Sequence, residues 1–292
     1  MNILVTGSNG QLGSEIKDLA LNYTSFSFFF MDLPALDICN SSQLDFCLKD
    51  KNINIVINCA AYTAVDKAEQ DSDIAEKVNA IGVLNLVNAV AKVNGKLIHI
   101  STDYVFDGNS FLPYQELDQV NPIGIYGNTK RRGELTVLNS DIDAVVIRTS
   151  WLYSAYGNNF VKTMLRLGNE RDELGVIFDQ IGSPTNASDL AKMCLDILTY
   201  SKEANINSKG NLYHFSNEGV ASWYDFAIAI MNLGDVKCKV RPIETKDYPS
   251  PAKRPHFSVL NKSKIKNDFE IDIPYWRDSL AICISKLNNK LN

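Results

Sequence analysis

Apolar residues in the first half of the chain fall in short continuous runs, separated by longer stretches with a helical period. Continuous runs are typical of strands that are buried on both faces, as in a parallel sheet covered by helices on each side. The pattern therefore predicts a parallel sheet, with strands at Asn2–Thr6, Ser25–Met31, Ile53–Ala60, Lys96–Ser101 and Ala144–Thr149.

Helical patterns separate these strands, near residues 11–22, 42–51, 72–94 and 126–139. Strands and helices in strict alternation favour a doubly wound α/β fold. After residue 150 the alternation is less regular. The later elements that the pattern predicts are a strand at Leu174–Phe178, a loop at Asp179–Asn186, a helix at Asp189–Tyr200 with Ser188 as its N-cap, a strand at Tyr213–Ser216, a helix at Ser222–Leu233, a loop at Pro242–Pro255 and a final helix at Asp278–Leu291.

Composition narrows the class of protein. The 292 residues are 45% hydrophobic, which is enough for one large domain or two modest ones. A formal net charge of −5, with no basic run longer than Lys130-Arg131-Arg132, argues against a nucleic-acid or membrane-surface partner. No apolar stretch approaches the roughly 20 residues of a membrane span, and no secretory signal is recognisable. The six scattered cysteines favour reduced thiols in a cytoplasmic protein.

A glycine-rich turn, Gly7-Ser-Asn-Gly10-Gln-Leu-Gly13, follows the first strand directly and opens the first helix. Glycines allow the tight turn, the close approach of the backbone to a pyrophosphate, and the packing of the helix on the sheet. The N-terminus of the helix then offers free N–H groups and a positive dipole end to phosphates. The turn therefore predicts a dinucleotide site.

The spacing is G-x-x-G-x-x-G rather than G-x-G-x-x-G, so the context of the turn matters. Asp32 ends the second strand, 19 residues past Gly13, where a carboxylate can accept hydrogen bonds from an adenosine ribose. No Arg or Lys stands next to Asp32 to meet a 2′-phosphate, which slightly favours NADH over NADPH. We therefore expect a dinucleotide-binding domain at 1–150, continued at about 174–200, and mainly a substrate domain at 151–292.

Tyr126-Gly-Asn-Thr-Lys130 begins a helical pattern and places a phenol and an ammonium group on one helix face. A free tyrosine has a pKa of about 10, and a nearby lysine lowers that pKa. Such a phenol can protonate an oxygen that becomes an alkoxide, and Thr102, at the end of the fourth strand, can hydrogen-bond the same oxygen. Alone, the pair is more typical of an ordinary surface helix, and the Thr102 hydroxyl is also typical of a strand-end cap.

Together with the strand end Asn58-Cys-Ala-Ala61, these segments resemble the extended short-chain dehydrogenase/reductases, and more closely the dTDP-4-dehydrorhamnose reductase family. The resemblance implies a Rossmann-type doubly wound parallel sheet with a smaller interleaved C-terminal substrate-binding domain. The motifs of the closer resemblance span nearly the whole chain: Gly10-Gln-Leu-Gly13, Ala61-Tyr-Thr-Ala-Val-Asp-Lys-Ala-Glu69, Ser101-Thr-Asp-Tyr-Val-Phe106, Tyr126-Gly-x-Thr-Lys130, Arg148-Thr-Ser-Trp151, Gly157-Asn-Asn-Phe160, Asp179-Gln-x-Gly-x-Pro-Thr185 and Arg254-Pro255-His256.

The resemblance implies that the chain is an NADH- or NADPH-dependent oxidoreductase. It would reduce the 4-keto group of dTDP-4-dehydro-L-rhamnose and so form dTDP-L-rhamnose, which is used to make cell-surface polysaccharide. The nicotinamide would give the hydride and Tyr126 the proton to O4. Lys130 would hold the nicotinamide ribose, and Thr102 would hydrogen-bond the carbonyl.

The resemblance also implies which residues contact each ligand. For the sugar nucleotide these are Thr102, Asp103 and Trp151, whose indole offers a flat wall to a deoxysugar unless it is only packed in the core. Arg254 has two open roles, namely contact with the substrate diphosphate and a salt bridge that fixes a loop. The implied cofactor contacts, with those of the turn, are Gly7, Gly10, Gln11, Leu12, Gly13, Asp32, Asp37, Ile38, Ala60, Ala61, Tyr62, Tyr126 and Lys130.

Some members of this family hold magnesium at a dimer interface through glutamates. Glu15 matches one such position, but Ser188 stands where another acid is expected. We therefore predict no metal site. A homodimer stays open, with weaker support for one bridged by a metal.

Other functions also stay open. A reductase or epimerase of another nucleotide-linked 4-keto sugar would share this fold, whereas a dehydratase carries an acid where Tyr104 stands. A non-catalytic regulatory subunit, like that of methionine adenosyltransferase, is disfavoured because Thr102, Tyr126 and Lys130 are all present.

Overall fold

A computed structural model describes residues 1–203 and 211–291. The strands are β1 (Asn2–Thr6), β2 (Ser27–Met31), β3 (Ile55–Asn58), β4 (Lys96–Thr102), β5 (Asp143–Thr149), β6 (Leu152–Tyr153), β7 (Glu173–Ile177), β8 (Ile181–Gly182), β9 (Thr185–Asn186), β10 (Asn211–His214), β11 (Ala221–Ser222) and β12 (Lys239–Ile243). The α-helices are α1 (Gln11–Leu19), α2 (Ser41–Asp50), α3 (Val65–Ala68), α4 (Ser72–Glu76), α5 (Gly82–Lys92), α6 (Ile125–Leu138), α7 (Phe160–Glu170), α8 (Ala187–Glu203), α9 (Trp223–Leu233), α10 (Ser263–Phe269) and α11 (Trp276–Leu291).

Six strands form one parallel sheet in the order β10-β5-β4-β3-β1-β2. β1 pairs with β2 on one side and with β3 on the other, so Thr6 lies beside both Met31 and Asn58. The strand order reverses at β1, and open α/β sheets bind ligands beyond the carboxyl ends of the strands at such a point. The doubly wound parallel sheet expected from the sequence is confirmed.

Different helices cover the two faces of this sheet. Ile3 and Val5 belong to an apolar cluster with residues of α1 and α8, whereas Leu4 belongs to a second cluster with residues of α2 and α5. All three side chains are fully buried, and burial of each such side chain stabilises the fold by about 1.5–3 kcal/mol. Burial on both faces explains the continuous apolar runs.

One helical segment contains a local irregularity. A π-helical turn at Lys77–Ile81 joins α4 to α5, so the backbone stays helical from Ser72 to Lys92. Among the described residues this is the one helix long and apolar enough to cross a membrane, by length and composition alone. Half of it is buried, and Leu86 and Val90 lie in the apolar cluster that covers the sheet. Such burial is typical of a core helix.

Residues after 150 form a further apolar cluster beside the sheet. Pairs of short strands, β6 with β9, β7 with β12 and β8 with β11, pack with α7, α9 and α11. By contrast, α8 packs on α1 and β10 pairs with β5 at the edge of the large sheet. The division into a dinucleotide-binding and a substrate-binding domain stays a prediction.

The predicted elements after residue 150 need correction. The loop expected at Asp179–Asn186 contains β8 and β9, which are too short to show a strand period. Ser188 is not an N-cap, since α8 begins before it and its own N–H donates to the side chain of Asn186 (3.0 Å). The loop expected at Pro242–Pro255 begins inside β12, and α7 and α10 have no counterpart among the predicted helices.

Candidate active site

The turn after β1 depends on contacts that only glycine permits. Gly7 has a φ of +60°, and a Cβ atom there would lie 2.6 Å from the backbone nitrogen of Ala60. A Cβ atom on Gly13 would lie 2.5 Å from the carbonyl oxygen of Gly7. Because neither distance admits a side chain, the two glycines let α1 begin directly at the edge of the sheet.

The N-terminus of α1 has the polarity of a phosphate site. Gly10 is its N-cap residue, and no side chain in the described part of the chain caps the helix there. The first N–H groups of the helix are therefore left without a capping acceptor. They border a cavity of about 540 Å³, and uncapped N–H groups at a positive dipole end suit a diphosphate.

This cavity, named here the cofactor cavity, lies beyond the carboxyl ends of β1, β3, β4 and β5. The residues that follow these strands, Gly7, Cys59, Asp103 and Ser150, all line it. The structure thus brings the glycine turn together with residues far along the chain. The predicted site residues that line the cavity are Gly7, Gly10, Gln11, Leu12, Ala60, Ala61, Thr102, Asp103, Tyr126, Lys130 and Trp151.

Some predicted cofactor residues lie outside this lining. Asp32 is next to the turn, because its carboxylate accepts hydrogen bonds from the N–H groups of Asn9 (2.9 Å) and Leu33 (2.8 Å). Ile38 is buried and fills the space against Gly82 of α5. Their contacts with an adenosine stay predictions. The predicted residues outside the lining of the cofactor cavity are Gly13, Asp32, Asp37, Ile38, Tyr62 and Arg254.

Two of these residues are tied to nearby backbone and side-chain groups. The carboxylate of Asp37 accepts a hydrogen bond from the N–H of Cys39 (2.8 Å). The N–H of Tyr62 donates to the Asn79 side chain (2.9 Å), which lies in the π-helical turn, and its hydroxyl donates to Asp71 (3.1 Å). The π-helical turn therefore anchors the chain segment that follows β3.

Thr102 and Tyr126 meet at the end of β4. Tyr126 lies in the first turn of α6, both side chains are buried, and both line the same cavity. Burial raises the pKa of Tyr126 to about 12, and the nearby Thr102 hydroxyl opposes this shift. A phenol with a raised pKa stays protonated at neutral pH, so Tyr126 is held as a proton donor.

Lys130 lies one helical turn after Tyr126. Its buried ammonium group donates a hydrogen bond to the carbonyl oxygen of Ile100 in β4 (2.6 Å). Burial lowers the pKa of Lys130 to about 8, and the carboxylate of Glu134 opposes that shift. The prediction that Lys130 brings the pKa of Tyr126 below its usual value is wrong for this structure, because loss of water around the phenol raises that pKa.

A buried ion pair fixes α6 against the sheet. The Glu134 carboxylate accepts hydrogen bonds from Arg148 in β5 (2.6 and 2.9 Å) and from Ser101 in β4 (2.8 Å). Both charged side chains are almost inaccessible to water, so losing either partner would leave a buried charge unpaired. Because Ser101 precedes Thr102, the same contacts place Thr102 relative to Tyr126.

Tyr104 is a site residue that the sequence does not reveal. Its ring packs edge-on against Tyr126, with centroids 5.4 Å apart and planes at 78°. A Cβ atom on Gly127 would overlap the carbonyl oxygen of Tyr104, so the glycine after Tyr126 permits this approach. The only local signal was the place of Tyr104 after Thr-Asp.

Trp151 stacks on Trp223, with ring centroids 3.6 Å apart and planes 6° apart. Trp151 has a φ of +48°, and a Cβ atom on Gly182 would lie 2.6 Å from its indole. Both indoles line the cofactor cavity, so Trp151 does more than pack in the hydrophobic core. Trp223 is absent from the predicted site, although the capping box of Ser222 and Asp225 marks the start of its helix.

A buried polar network lies beneath the cavity. The side-chain oxygen of Asn58 accepts hydrogen bonds from the hydroxyl of Thr6 (2.7 Å) and the N–H of Ala60 (3.2 Å), and its amide nitrogen contacts His99 (3.0 Å). Burial lowers the pKa of His99 well below its usual value, and Lys130 adds to the shift. His99 is therefore neutral, and the network holds the backbone at Ala60. Sequence reasoning missed both His99 and this role.

Asp103 is buried at the carboxyl end of β4 and accepts a hydrogen bond from the Thr102 hydroxyl (3.1 Å). Burial raises the pKa of Asp103 to about 6, against the effect of hydrogen bonds from Ser258 and Thr102. The carboxylate is therefore easier to protonate than an exposed aspartate.

A second cavity of about 930 Å³ adjoins the first, and Tyr104 and Trp223 line both. We call it the wide cavity. Arg254 lines it and also pairs with Asp66 (2.7 Å) and donates a hydrogen bond to Ser250. The loop-fixing salt bridge is therefore present, and contact of Arg254 with a diphosphate stays a prediction. The other lining residues include Phe160, Met164, Val176, Ile177, Tyr248, Lys253 and His256.

Glu15 lies inside the protein with both carboxylate oxygens occupied. It accepts hydrogen bonds from the hydroxyl of Ser154 (2.6 Å) and the ammonium group of Lys286 (2.6 Å). Ser188, the other position of the family's metal site, lies in the first turn of α8. Across residues 1–203 and 211–291, no group of three or more His, Cys, Asp or Glu side chains is placed to hold a metal ion.

Comparison with known proteins identifies the family. The RmlD substrate binding domain model matches residues 1–289. A dTDP-4-dehydrorhamnose reductase of Aggregatibacter actinomycetemcomitans is 40% identical over 285 residues, which cover 95% of this chain and 96% of that protein. These matches confirm the resemblance drawn from the sequence motifs.

Two solved structures are similar over nearly their whole length. The crystal structure of a dTDP-4-dehydrorhamnose reductase of Clostridium acetobutylicum has a TM-score of 0.91 and 43% identity, covering 99% of this chain and 100% of that one. That of a dTDP-4-dehydrorhamnose reductase of Bacillus anthracis, in complex with NADP, has a TM-score of 0.91 and 39% identity, covering 98% and 99%.

Proposed function

This chain belongs to the RmlD substrate binding domain family, and we propose that it reduces the 4-keto group of dTDP-4-dehydro-L-rhamnose to give dTDP-L-rhamnose, with NADH or NADPH as the reductant. One observation carries the proposal. The buried hydroxyls of Thr102 and Tyr126, with Lys130 one turn after Tyr126, line the same cavity as the glycine turn. A proton donor and a dinucleotide site in one cavity are what carbonyl reduction requires.

The residues of the cofactor cavity fit a nicotinamide dinucleotide. Gly7 and Gly13 keep side chains away from the turn, and the uncapped N–H groups after Gly10 suit the diphosphate. Lys130 would hold the nicotinamide ribose and Asp32 the adenosine ribose. When bound, the cofactor supplies the hydride that reduces the ketone carbon.

The protein supplies the proton and the position of the ketone. Tyr126 holds a proton that can pass to the substrate O4 as negative charge develops there. The Thr102 hydroxyl, which donates to Asp103 in this structure, would turn to donate to the same oxygen, and Asp103 would accept hydrogen bonds from sugar hydroxyls. The stacked Trp151 would face the deoxysugar as an apolar wall.

We assign the nucleotide half of the substrate to the wide cavity. This cavity adjoins the catalytic pair at Tyr104, so one molecule can reach both. Its lining carries apolar side chains for a base together with Lys253, Arg254 and His256, which suit a diphosphate. The same placement assigns residues 1–150 and about 174–200 mainly to the cofactor, and the rest of 151–292 mainly to the substrate.

We further propose NADH as the slightly preferred cofactor, because no cationic side chain stands next to Asp32. We place the enzyme in the cytoplasm, since the six cysteines are scattered and form no C-x-x-C motif, and in the supply of dTDP-rhamnose for cell-surface polysaccharide. A homodimer is the assembly to test by light scattering.

The direct test is steady-state oxidation of NADH by dTDP-4-dehydro-L-rhamnose, repeated with NADPH. We expect stoichiometric loss of NADH absorbance and formation of dTDP-L-rhamnose, with a modestly higher kcat/KM for NADH. Turnover of the sugar nucleotide without net loss of NADH would show an epimerase or dehydratase and would refute the reductase. Cofactor binding without any turnover of 4-keto sugars would instead favour a regulatory subunit.

A further inference from the structure

The loop that joins β6 to α7 lies along helix α1, although the two are far apart in the chain. Ser154 donates a hydrogen bond to Glu15 (2.6 Å), and the Tyr156 hydroxyl donates to Asp18 (2.7 Å). The ammonium group of Lys286 bridges the two carboxylates of α1, at 2.6 and 2.7 Å. We call residues 154–159 the crossing loop. These contacts fix it along the length of the helix.

The far end of the crossing loop reaches the first residue of α1. The side-chain nitrogen Nδ2 of Asn159 donates a hydrogen bond to Oε1 of Gln11 (3.0 Å). Gly157 has a φ of +60°, and a Cβ atom there would lie 3.0 Å from Cγ of Gln11. Gly157, Asn158 and Asn159 all line the cofactor cavity with Gln11. The loop therefore borders the turn that we assign to the cofactor diphosphate.

The direction of this hydrogen bond gives the Gln11 side chain a polarity. A carboxamide has one accepting oxygen and one donating nitrogen. Because Oε1 accepts from Asn159, the Nε2–H groups are what Gln11 has left for a ligand. Donors suit phosphate oxygens, whereas an accepting oxygen in the same place would repel them.

The amide of Asn159 is itself held in one orientation. Its Oδ1 accepts a hydrogen bond from the N–H of Lys162 (3.1 Å), which makes Asn159 the N-cap of α7. Its Nδ2 also donates to the carbonyl oxygen of Ser154 (2.7 Å). A flipped amide would face a donor with a donor and an acceptor with an acceptor, so the observed orientation is strongly favoured.

We propose that Asn159 is a positioning residue, which orients the Gln11 amide so that Nε2 donates to the diphosphate of the bound nicotinamide cofactor. The inference rests on the proposed function only for the identity of that cofactor. The crossing loop lies in the part of the chain that we assign mainly to the substrate, and the proposal gives this loop a role in cofactor binding.

A double-mutant cycle tests the proposal. Asn159→Ser keeps an N-cap oxygen for α7 but removes the donor to Gln11. Gln11→Met keeps the length of the side chain but removes its amide. NADH affinity would be titrated without sugar nucleotide, through the fluorescence of Trp151 and Trp223, for the wild type, both single variants and the double variant.

We expect each single variant to bind NADH about tenfold more weakly, as for one hydrogen bond to a charged group. In the Gln11→Met background, Asn159→Ser should have no further effect, since Asn159 acts through Gln11. Asn169→Ser, an exposed change on the same helix α7, is the matched control and should leave NADH affinity unchanged. A merely structural role of Asn159 would weaken binding equally in both backgrounds and would overturn the proposal.

Gln11→Glu provides a second test that leaves the crossing loop intact. Its carboxylate still accepts from Asn159 but turns a second oxygen toward the diphosphate, so NADH affinity should fall by more than tenfold. Unchanged affinity in this variant, or in Asn159→Ser, would refute the assignment of Gln11 and Asn159. A wild-type protein that binds neither NADH nor NADPH would refute the proposed function itself, so the two failures are distinguishable.

Discussion

The cofactor cavity and the wide cavity adjoin each other but are built differently. The cofactor cavity is shaped by backbone, at a turn where Gly7 and Gly13 admit no side chain and where the strands of one sheet end. The wide cavity is shaped by side chains of loops and short strands. Among them, Arg254 forms a salt bridge with Asp66, which is far away in the sequence. Backbone geometry tolerates little change, whereas side chains can repack. We therefore expect the two cavities to respond differently to substitution.

The largest effect should come from the proton donor in the cofactor cavity. Tyr126→Phe removes the proton donor and should lower kcat by about a thousandfold, the usual range for a general acid. NADH affinity should stay near that of the wild type, because the glycine turn is untouched. Steady-state NADH oxidation and direct titration of NADH measure the two quantities.

The control for that variant is Tyr275→Phe, which removes a hydroxyl from a tyrosine 46% exposed to solvent. Its kcat should match the wild type. If Tyr126→Phe retained wild-type turnover, Tyr126 would not be the proton donor, and the cofactor cavity would lose its assigned chemistry.

The contrast between backbone and side chains can be measured with two glycines. Gly7→Ala should lower the free energy of unfolding by about 2–4 kcal/mol, since it adds both a strained φ and a clash with the backbone. Gly175→Ala, beside the wide cavity, should cost less than about 1 kcal/mol, because its φ is not strained and the nearest atoms to its new Cβ belong to the Ile243 side chain, at 3.2 Å or more, rather than to backbone. Urea unfolding gives both values. Equal losses would contradict the comparison.

Burial at the end of β4 should make stability depend on pH. The folded-state pKa of Asp103 is raised from 3.8 to about 6, so the folded protein binds this proton more tightly than the unfolded chain. The resulting stability is present below the unfolded pKa and is lost as the pH rises through about 6. Between about pH 4 and pH 7, the wild type should lose about 2 kcal/mol relative to Asp103→Asn.

Denaturant unfolding at the two pH values measures this difference. Asp73→Asn, at an exposed position, should follow the wild-type pH dependence. A wild type and an Asp103→Asn variant that shift in parallel would show that Asp103 is not buried as described.

The smallest effect should separate the two roles of Arg254. Arg254→Gln should raise the KM for the sugar nucleotide about tenfold if the guanidinium contacts its diphosphate. Asp66→Asn breaks the same salt bridge but leaves the charge of Arg254 in the wide cavity, so KM should change much less. Initial rates at saturating NADH give both values. If the two substitutions raised KM equally, Arg254 would serve only to fix the loop.

Local sequence determined the features that depend on neighbours in the chain. The turn at Gly7 to Gly13 joins adjacent elements, so its spacing shows in the sequence, as does the placement of Tyr126 and Lys130 on one helix face. The sheet was also predictable, because a strand buried on both faces must be apolar along its length. These local features are enough to indicate the family without any tertiary contact.

Tertiary structure decided what depends on residues far apart in the chain. The stacking of Trp223 on Trp151 and the contacts of Asn159 with Gln11 and of His99 with Asn58 follow no spacing that a sequence displays. The direction of the Tyr126 pKa shift also depended on burial, which spacing along the chain cannot report. Sequence determined the chemistry that the chain carries, and folding determined the environment of each group, because desolvation and long-range contacts exist only once distant segments meet.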